Sequence, residues 1–210
     1  MNPTIVSLIR HGVTDVNREP IFQGQMNNPL AIEGTRQAQL LAARLSFVKF
    51  DVVYSSDLLR AVQTAAIIVK PHDKEIRTSS QLREINRGDW TGMSYKACAA
   101  ADPAGWQASR VNPEFRSPGG ESFVDLHKRV VAEIERIALL HRGMHIVIVT
   151  HGGPIRAFLR HAVGLPAHHM QSFQAANTSI SRFKLEDQQW SLLQFNDHAH
   201  LEPISVVSGS

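Results

Sequence analysis

Three short stretches of this chain are apolar on almost every residue: Ile5-Val6-Ser7-Leu8-Ile9, Asp51-Val52-Val53-Tyr54 and Ile146-Val147-Ile148-Val149. A strand with one wet face alternates apolar and polar side chains, so dry, β-branched runs of this kind are expected where both faces of a parallel sheet are covered. Helices must then lie between them, and the intervening sequence supplies the pattern. In 33–47, Ala38, Leu41, Ala42 and Leu45 recur at three- and four-residue spacing, and in 56–69 Leu59, Val62, Ala66 and Val69 do the same. Ser55-Ser56 is the candidate N-cap of the second of these helices. The longest amphipathic pattern covers 121–142, with Phe123, Leu126, Val130, Ile134, Ile137 and Leu140 on one stripe and Lys128, Glu133 and Arg136 off it. Gly119-Gly120 precedes that helix and Gly143 stops it. Pro154 opens a further helix over 155–163, closed by Gly164. Residues 179–185 and 190–195 read as two strands joined by the polar turn Glu186-Asp187-Gln188-Gln189. The expected architecture is α/β: a three-layer sandwich, its sheet mostly parallel with an antiparallel edge strand, and helices on both faces. One domain is expected over 1–205, with 90–118 as a helical, lid-like insertion and 206–210 as a frayed tail.

Bulk properties exclude several partners. Lys and Arg number 22 against 19 Asp and Glu, without a basic run, so no nucleic acid is expected. Met1-Asn2-Pro3-Thr4 lacks a charged leader region and the following apolar run breaks at Arg10, so no membrane span is expected and the protein reads as soluble and cytoplasmic. Cys98 is the single cysteine and sits in an alanine-rich, helix-like stretch, where a packing role fits better than a nucleophilic one. His168-His169 and the pair His198 and His200 lack an accompanying carboxylate or cysteine pattern, so no metal is expected.

Two of the dry runs end alike. The first is followed by Arg10-His11-Gly12, with Thr14 and Asn17 close behind, and the third by Thr150-His151-Gly152-Gly153. A strand end delivers its next residues to the carboxyl edge of the sheet, where open α/β folds bind ligands, so the two histidines can share one pocket.

Between them lie Ser55-Ser56-Asp57-Leu58-Leu59-Arg60-Ala61 and Leu82-Arg83-Glu84-Ile85-Asn86-Arg87-Gly88-Asp89-Trp90, and beyond them Asn177-Thr178-Ser179. This ordered set resembles the histidine phosphatase superfamily, the phosphoglycerate mutase-like proteins. Val13, where many members carry Glu or Gln, and Asn28, where Asp is common, depart from the family pattern without removing a group that touches phosphorus. The resemblance implies attack on phosphorus by a neutral His11, with Arg10, Arg60 and His151 holding the phosphoryl oxygens and Asn17 adding a neutral donor. Such chemistry needs an unprotonated imidazole and positive charge around the oxygens, which adjacent guanidinium groups supply while keeping the imidazole neutral. Glu84 matches the family's acidic position and is the candidate general acid, pushed toward its protonated form by a bound dianion and later activating water. Gln23 and Gly24 form a candidate substrate-contacting turn, a glycine permitting close backbone approach and an amide binding a hydroxyl or carboxylate.

The expected activity is hydrolysis of a small phosphate ester through phosphohistidine, with no cofactor. A bisphosphoglycerate-dependent phosphoglycerate mutase is the alternative. Length and the replacement of the mutases' usual Glu-Arg-x-Tyr-Gly by Glu84-Ile85-Asn86-Arg87-Gly88 favour the phosphatase. A non-catalytic phospholigand binder would need neither the acid nor the nucleophile. Monomer and homodimer both stay open on the sequence.

Overall fold

Both faces of β1 (Thr4–Arg10) are dry. In the computed structural model of the protein, which describes residues 2–166 and 173–202, Val6 and Leu8 point into one core and Ile9 into the other. β4 (His145–Thr150) divides the same way, Ile146 and Ile148 to one side and Val147 and Val149 to the other. These are central strands, and their register is parallel with Arg10 opposite Thr150. With β2 (Val52–Ser56), β3 (Ile76–Ser79), β5 (Ile180–Glu186) and β6 (Gln189–Asp197), the sheet runs β3-β2-β4-β1-β5-β6. The first four strands are mutually parallel, and β5 pairs antiparallel to both β1 and β6. The antiparallel edge is therefore two strands wide. Its turn places Asp187 and Gln188 at φ 48° and 62°, the left-handed pair that a two-residue hairpin demands.

α1 (Ile32–Leu45) and α2 (Leu59–Val69) cover one face through Leu41, Leu45, Ala61, Ala65 and Ile68. α5 (Phe123–Leu140) and α6 (Gly152–Ala162) cover the other through Leu126, Val130, Ile134, Ile137, Ile155 and Phe158. Fully burying each of the larger of these side chains contributes roughly 1.5–3 kcal/mol. The result is the three-layer sandwich. Because β1 hands the chain to α1 on one face and its neighbour β4 hands it to α6 on the other, a crevice opens at their carboxyl ends.

Four local expectations are corrected and one strand is added. The stripe read for α2 is misplaced, since Leu59 and Ala66 are exposed and the buried face is Ala61, Thr64, Ala65, Ile68 and Val69. Ser55 and Ser56 are strand residues, Ser56 pairing with Ser79 across β2 and β3, and the position before α2 belongs to Leu58. α5 ends at Leu140, leaving that side chain 61% exposed where it rolls off the core stripe. Glu133, assigned to the wet side, is buried and accepts two hydrogen bonds from Arg136. β3 has no counterpart in the sequence reading. Within 90–118 the chain forms α3 (Tyr95–Ala101), which buries Cys98, and α4 (Pro103–Val111). The rings of Trp90, Tyr95, Trp106 and Phe115 gather around Phe22 and one another, tying this segment to the loop that carries Gln23 and Gly24. His168-His169 and 206–210 lie outside the described residues. No helix of the described residues is long and apolar enough to cross a membrane.

Candidate active site

His11 and His151 each follow the last residue of a central strand, and the β1/β4 register brings their ring centroids to 5.0 Å. Both are buried. The His11 backbone is fixed by its N–H donating to the Thr150 carbonyl at 2.9 Å, and Gly12 donates to Thr64 Oγ1 at 3.1 Å. Gly12 has no room for a side chain, since a Cβ there would stand 2.5 Å from the Gly34 carbonyl oxygen.

Arg60 reaches the pair from the first turn of α2. Its single Nε–H lies 3.3 Å from both His11 Nε2 and His151 Nδ1. Both of those nitrogens therefore present lone pairs. The His11 proton sits on Nδ1 and is donated to the Gly12 carbonyl at 2.7 Å, while His151 Nε2 donates to Ser56 Oγ at 2.9 Å. Burial first, and then the Arg60 guanidinium, hold both imidazoles well below their ordinary range. The site thus contains two neutral histidines, with the reactive lone pair of His11 on Nε2. Arg60 is oriented by the Met26 and Gly24 carbonyls, at 2.6 and 2.9 Å from its terminal nitrogens. Burial lowers its own pKa to about 10 against the pull of Glu84. Gly24 accordingly acts through its carbonyl, and its φ of 49° is the backbone state that aims it.

Arg10, Glu84, Gly152 and Arg156 line a cavity of about 550 Å³ with Gln174, Asn196 and His198. Arg10 donates to the Ala175 carbonyl at 2.6 Å, and its buried Nε has no partner among the described residues. Glu84 Oε1 accepts from the Ile85 N–H at 2.8 Å and Oε2 from the Gly153 N–H at 3.1 Å. Burial pushes this carboxyl up, but Arg156, the two N–H donors and Arg60 outweigh it, and the net shift is downward. Glu84 is therefore ionised, and the protonation an acid requires has to arrive with a bound dianion. A Cβ at Gly153 would overlap Glu84 Oε1, so any side chain there would displace the carboxylate.

Asn17 and Gln23 close a ring with Thr14. Asn17 Oδ1 accepts from Thr14 at its backbone nitrogen and hydroxyl, Asn17 Nδ2 donates to Gln23 Oε1 at 3.2 Å, and Gln23 Nε2 donates to Thr14 Oγ1 at 2.8 Å. These two amides brace the loop after His11, and each retains one N–H. His198 and His200 bond separately to the Asn196 carbonyl and to Thr178 Oγ1. A second cavity of about 570 Å³ opens between Thr4, Leu139 and Trp190 and is lined by none of the candidate catalytic, phosphate-binding or substrate-binding residues.

Arg156 escaped the sequence reading. It falls four residues after Gly152 on α6, hence on the same helical face, and its buried Nε has no partner among the described residues. That spacing from the second histidine was the available signal.

The histidine phosphatase superfamily (branch 1) matches residues 6–198. The chain is 38% identical over 202 residues to phosphoglycerate mutase-like protein 4 of Arabidopsis thaliana, covering 94% of this chain and 86% of the relative. It is 35% identical over 209 residues to a metal-independent phosphoserine phosphatase of the same plant, covering 97% and 86%. Among solved structures, Bacillus stearothermophilus YhfR superimposes with a TM-score of 0.90 at 29% identity, covering 95% of this chain and all of that one.

Proposed function

Because the chain belongs to the histidine phosphatase superfamily, we propose that it hydrolyses a small phosphorylated metabolite through a phosphohistidine formed on His11. The carrying observation is Arg60 Nε set between the lone pairs of His11 Nε2 and His151 Nδ1. A neutral nucleophile and its neighbour face a fixed guanidinium, and the Glu84 carboxylate lines a cavity with Arg10 and Gly152, the residues next to the two histidines in the chain. The phosphoserine phosphatase name of one relative supports the hydrolytic outcome.

The phosphoryl group of the ester enters against Arg10, Arg60 and the spare N–H of Asn17, whose charge and donors offset repulsion between its oxygens and the nucleophile. His11 Nε2 attacks phosphorus in line with the ester oxygen. The P–O bond breaks and the departing oxygen takes the proton from Glu84, which the incoming dianion has driven onto that carboxyl. His151 gains a proton, or turns its donor, to stabilise the crowded phosphoryl oxygens. Water then attacks phosphorus, Glu84 takes its proton, the P–N bond breaks with its electron pair returning to His11 Nε2, and phosphate leaves. No step calls for a metal or cofactor. Arg156, which lines the cavity with Arg10 and Glu84, is assigned to the alcohol half of the ester, Gln23 and Gly24 to contacts with substrate beside Arg60, and 90–118 to a lid over the pocket. A single, buried cysteine suits a reducing compartment, and the cytoplasm is the proposed place of the reaction.

The test is phosphate release from p-nitrophenyl phosphate and from 3-phosphoglycerate, in chelator and without bisphosphoglycerate, by wild type and His11→Ala. Release confined to wild type is the expected result. Release that survives His11→Ala would overturn the phosphohistidine route, and release only after bisphosphoglycerate is added would turn the assignment to a mutase.

A further inference from the structure

The nucleophile's backbone is pinned on one side by β4, and on the other by a turn that cannot hold itself. Asn177 Nδ2 donates to the His11 carbonyl at 2.9 Å, and the Thr178 N–H donates to the Arg10 carbonyl at 2.9 Å. Arg10 N–H in turn reaches the Ser179 carbonyl at 3.3 Å. To make these bonds, Thr178 is buried at φ 58°, a left-handed state that β-branched residues avoid. Such a conformation persists only where its surroundings impose it.

The imposing elements come from the end of β6 and the turn that follows it. Asn196, itself at φ 55°, accepts the Ala176 N–H on Oδ1 at 2.6 Å. Three residues past β6, in the short 3-10 turn Ala199–Leu201, His200 Nε2 lies 3.0 Å from Thr178 Oγ1. The Thr178 hydroxyl proton is already committed to the Asn177 carbonyl at 2.7 Å, so Oγ1 is the acceptor and His200 Nε2 carries the proton. His200 Nδ1 is then left as a buried lone pair with no partner among the described residues. Burial and the neighbouring Arg44 hold this imidazole neutral, its pKa down to about 4. A histidine kept in one tautomer, with its second nitrogen unsatisfied, is arranged for the single bond it makes to Thr178.

We propose that His200 is a positioning residue for the His11 nucleophile, acting through the Thr178 hydroxyl to hold the backbone on which His11 turns. It does not touch the reacting atoms. The inference rests on His11 being the nucleophile, and its test separates the two. In the full chain, His200→Gln places an amide nitrogen the same number of bonds from Cα as the imidazole Nε2, whereas His200→Asn stops one bond short. The readouts are the burst of phosphoenzyme from p-nitrophenyl phosphate by rapid quench, the 15N resonances of the His11 ring, and the unfolding midpoint. His200→Asn is expected to slow phosphoenzyme formation about tenfold with little change in KM, the signature of a nucleophile displaced by a fraction of an ångström. It is also expected to move the His11 ring resonances, and His200→Gln to restore both. Thr178→Ala should reproduce the loss, and the Thr178→Ala/His200→Asn double variant should be no slower than Thr178→Ala alone. A wild-type burst and unmoved His11 resonances in His200→Asn would overturn the proposal, as would a loss that tracks the unfolding midpoint and is not rescued by Gln. Should His200→Asn fail to fold, a wild-type burst in Thr178→Ala overturns it from the other end of the bond. Absence of any phosphoenzyme in wild type would refute the nucleophile, leaving the ring resonances to decide the positioning.

Discussion

Replacing Gly153 by alanine displaces the general acid with a single methyl group. A Cβ at Gly153 would occupy the space of Glu84 Oε1, and on its other side it would stand 3.2 Å from Leu126 Cδ2, a fully buried core atom that has no room to retreat. The carboxylate must therefore move. In moving it surrenders the Ile85 and Gly153 N–H donors, at 2.8 and 3.1 Å, each a charge-assisted bond of about 1.5–3 kcal/mol. With its oxygens no longer aimed, Glu84 ceases to deliver a proton, a contribution of roughly 10²–10⁴ in rate for an alkoxide leaving group. A nitrophenolate departs without that proton, so its release should fall by less than about tenfold. The assay is kcat/KM for phosphoserine and for p-nitrophenyl phosphate, which reports only the steps through phosphohistidine formation and so leaves out the later attack of water that Glu84 also serves, with circular dichroism to establish that α6 still forms. Equal loss on both esters would remove Glu84 from the acid role, and no loss on either would show that the carboxylate plays no part in turnover.

The acid limb of kcat/KM provides a second check. His11 must be unprotonated to attack, and burial followed by Arg60 and Arg10 lowers its pKa well below 6.5, so kcat/KM should stay level as pH falls through 6.5 and drop only well beneath it. A midpoint near 6.5 would mean that His11 is not held neutral as described. Phe158 is fully buried, edge-on to Phe183 at 5.0 Å and to Trp190 at 4.8 Å. Phe158→Ala should destabilise by about 3–5 kcal/mol and lower the unfolding midpoint by roughly 6–20 °C; a shift of a degree or two would place that ring outside the core. Arg156→Leu should weaken kcat/KM for phosphoserine, whose alcohol half carries a carboxylate, about 10- to 100-fold more than for p-nitrophenyl phosphate. Equal effects on both would detach Arg156 from leaving-group recognition.

The parts of the fold that were legible are those whose residues answer to one dominant force. β1 and β4 announce themselves because a strand dry on both faces has few other places to go, and α5 because five of its stripe residues are buried on one core. β3 stays hidden for the opposite reason: Ile76-Arg77-Thr78-Ser79 is an exposed edge whose existence depends on pairing with β2, and nothing local requires it. Ser56 looked like a helix cap because a hydroxyl before a helix commonly is one, yet here the strand's pairing extends through it and its oxygen meets His151. At the site, His11 and His151 were legible from their places after dry runs. Arg156 was not, since an arginine on an amphipathic helix is usually solvated, and only the docking of α6 turns it into the cavity. Asn17 and Gln23 were singled out as contacts for substrate. The structure adds that their amides are partly spent on each other and on Thr14, a pairing across six residues of irregular loop that no periodicity encodes.

The strand order also dictates when this protein becomes an enzyme during its own synthesis. β1 has no neighbour until residues 145–150 are available, and none on its other flank until 180–186. The ribosome therefore releases His11 well before either of the strands that flank β1, and it waits unpaired until they emerge. β2 and β3, with α2 between them, can associate early, but the edge of β2 that will receive β4 stays open meanwhile. Contacts of such separation slow folding, since long loops must close before any burial rewards them. Catalytic competence consequently cannot precede the emergence of β5, and recovery of turnover after dilution from denaturant should lag behind recovery of helical signal.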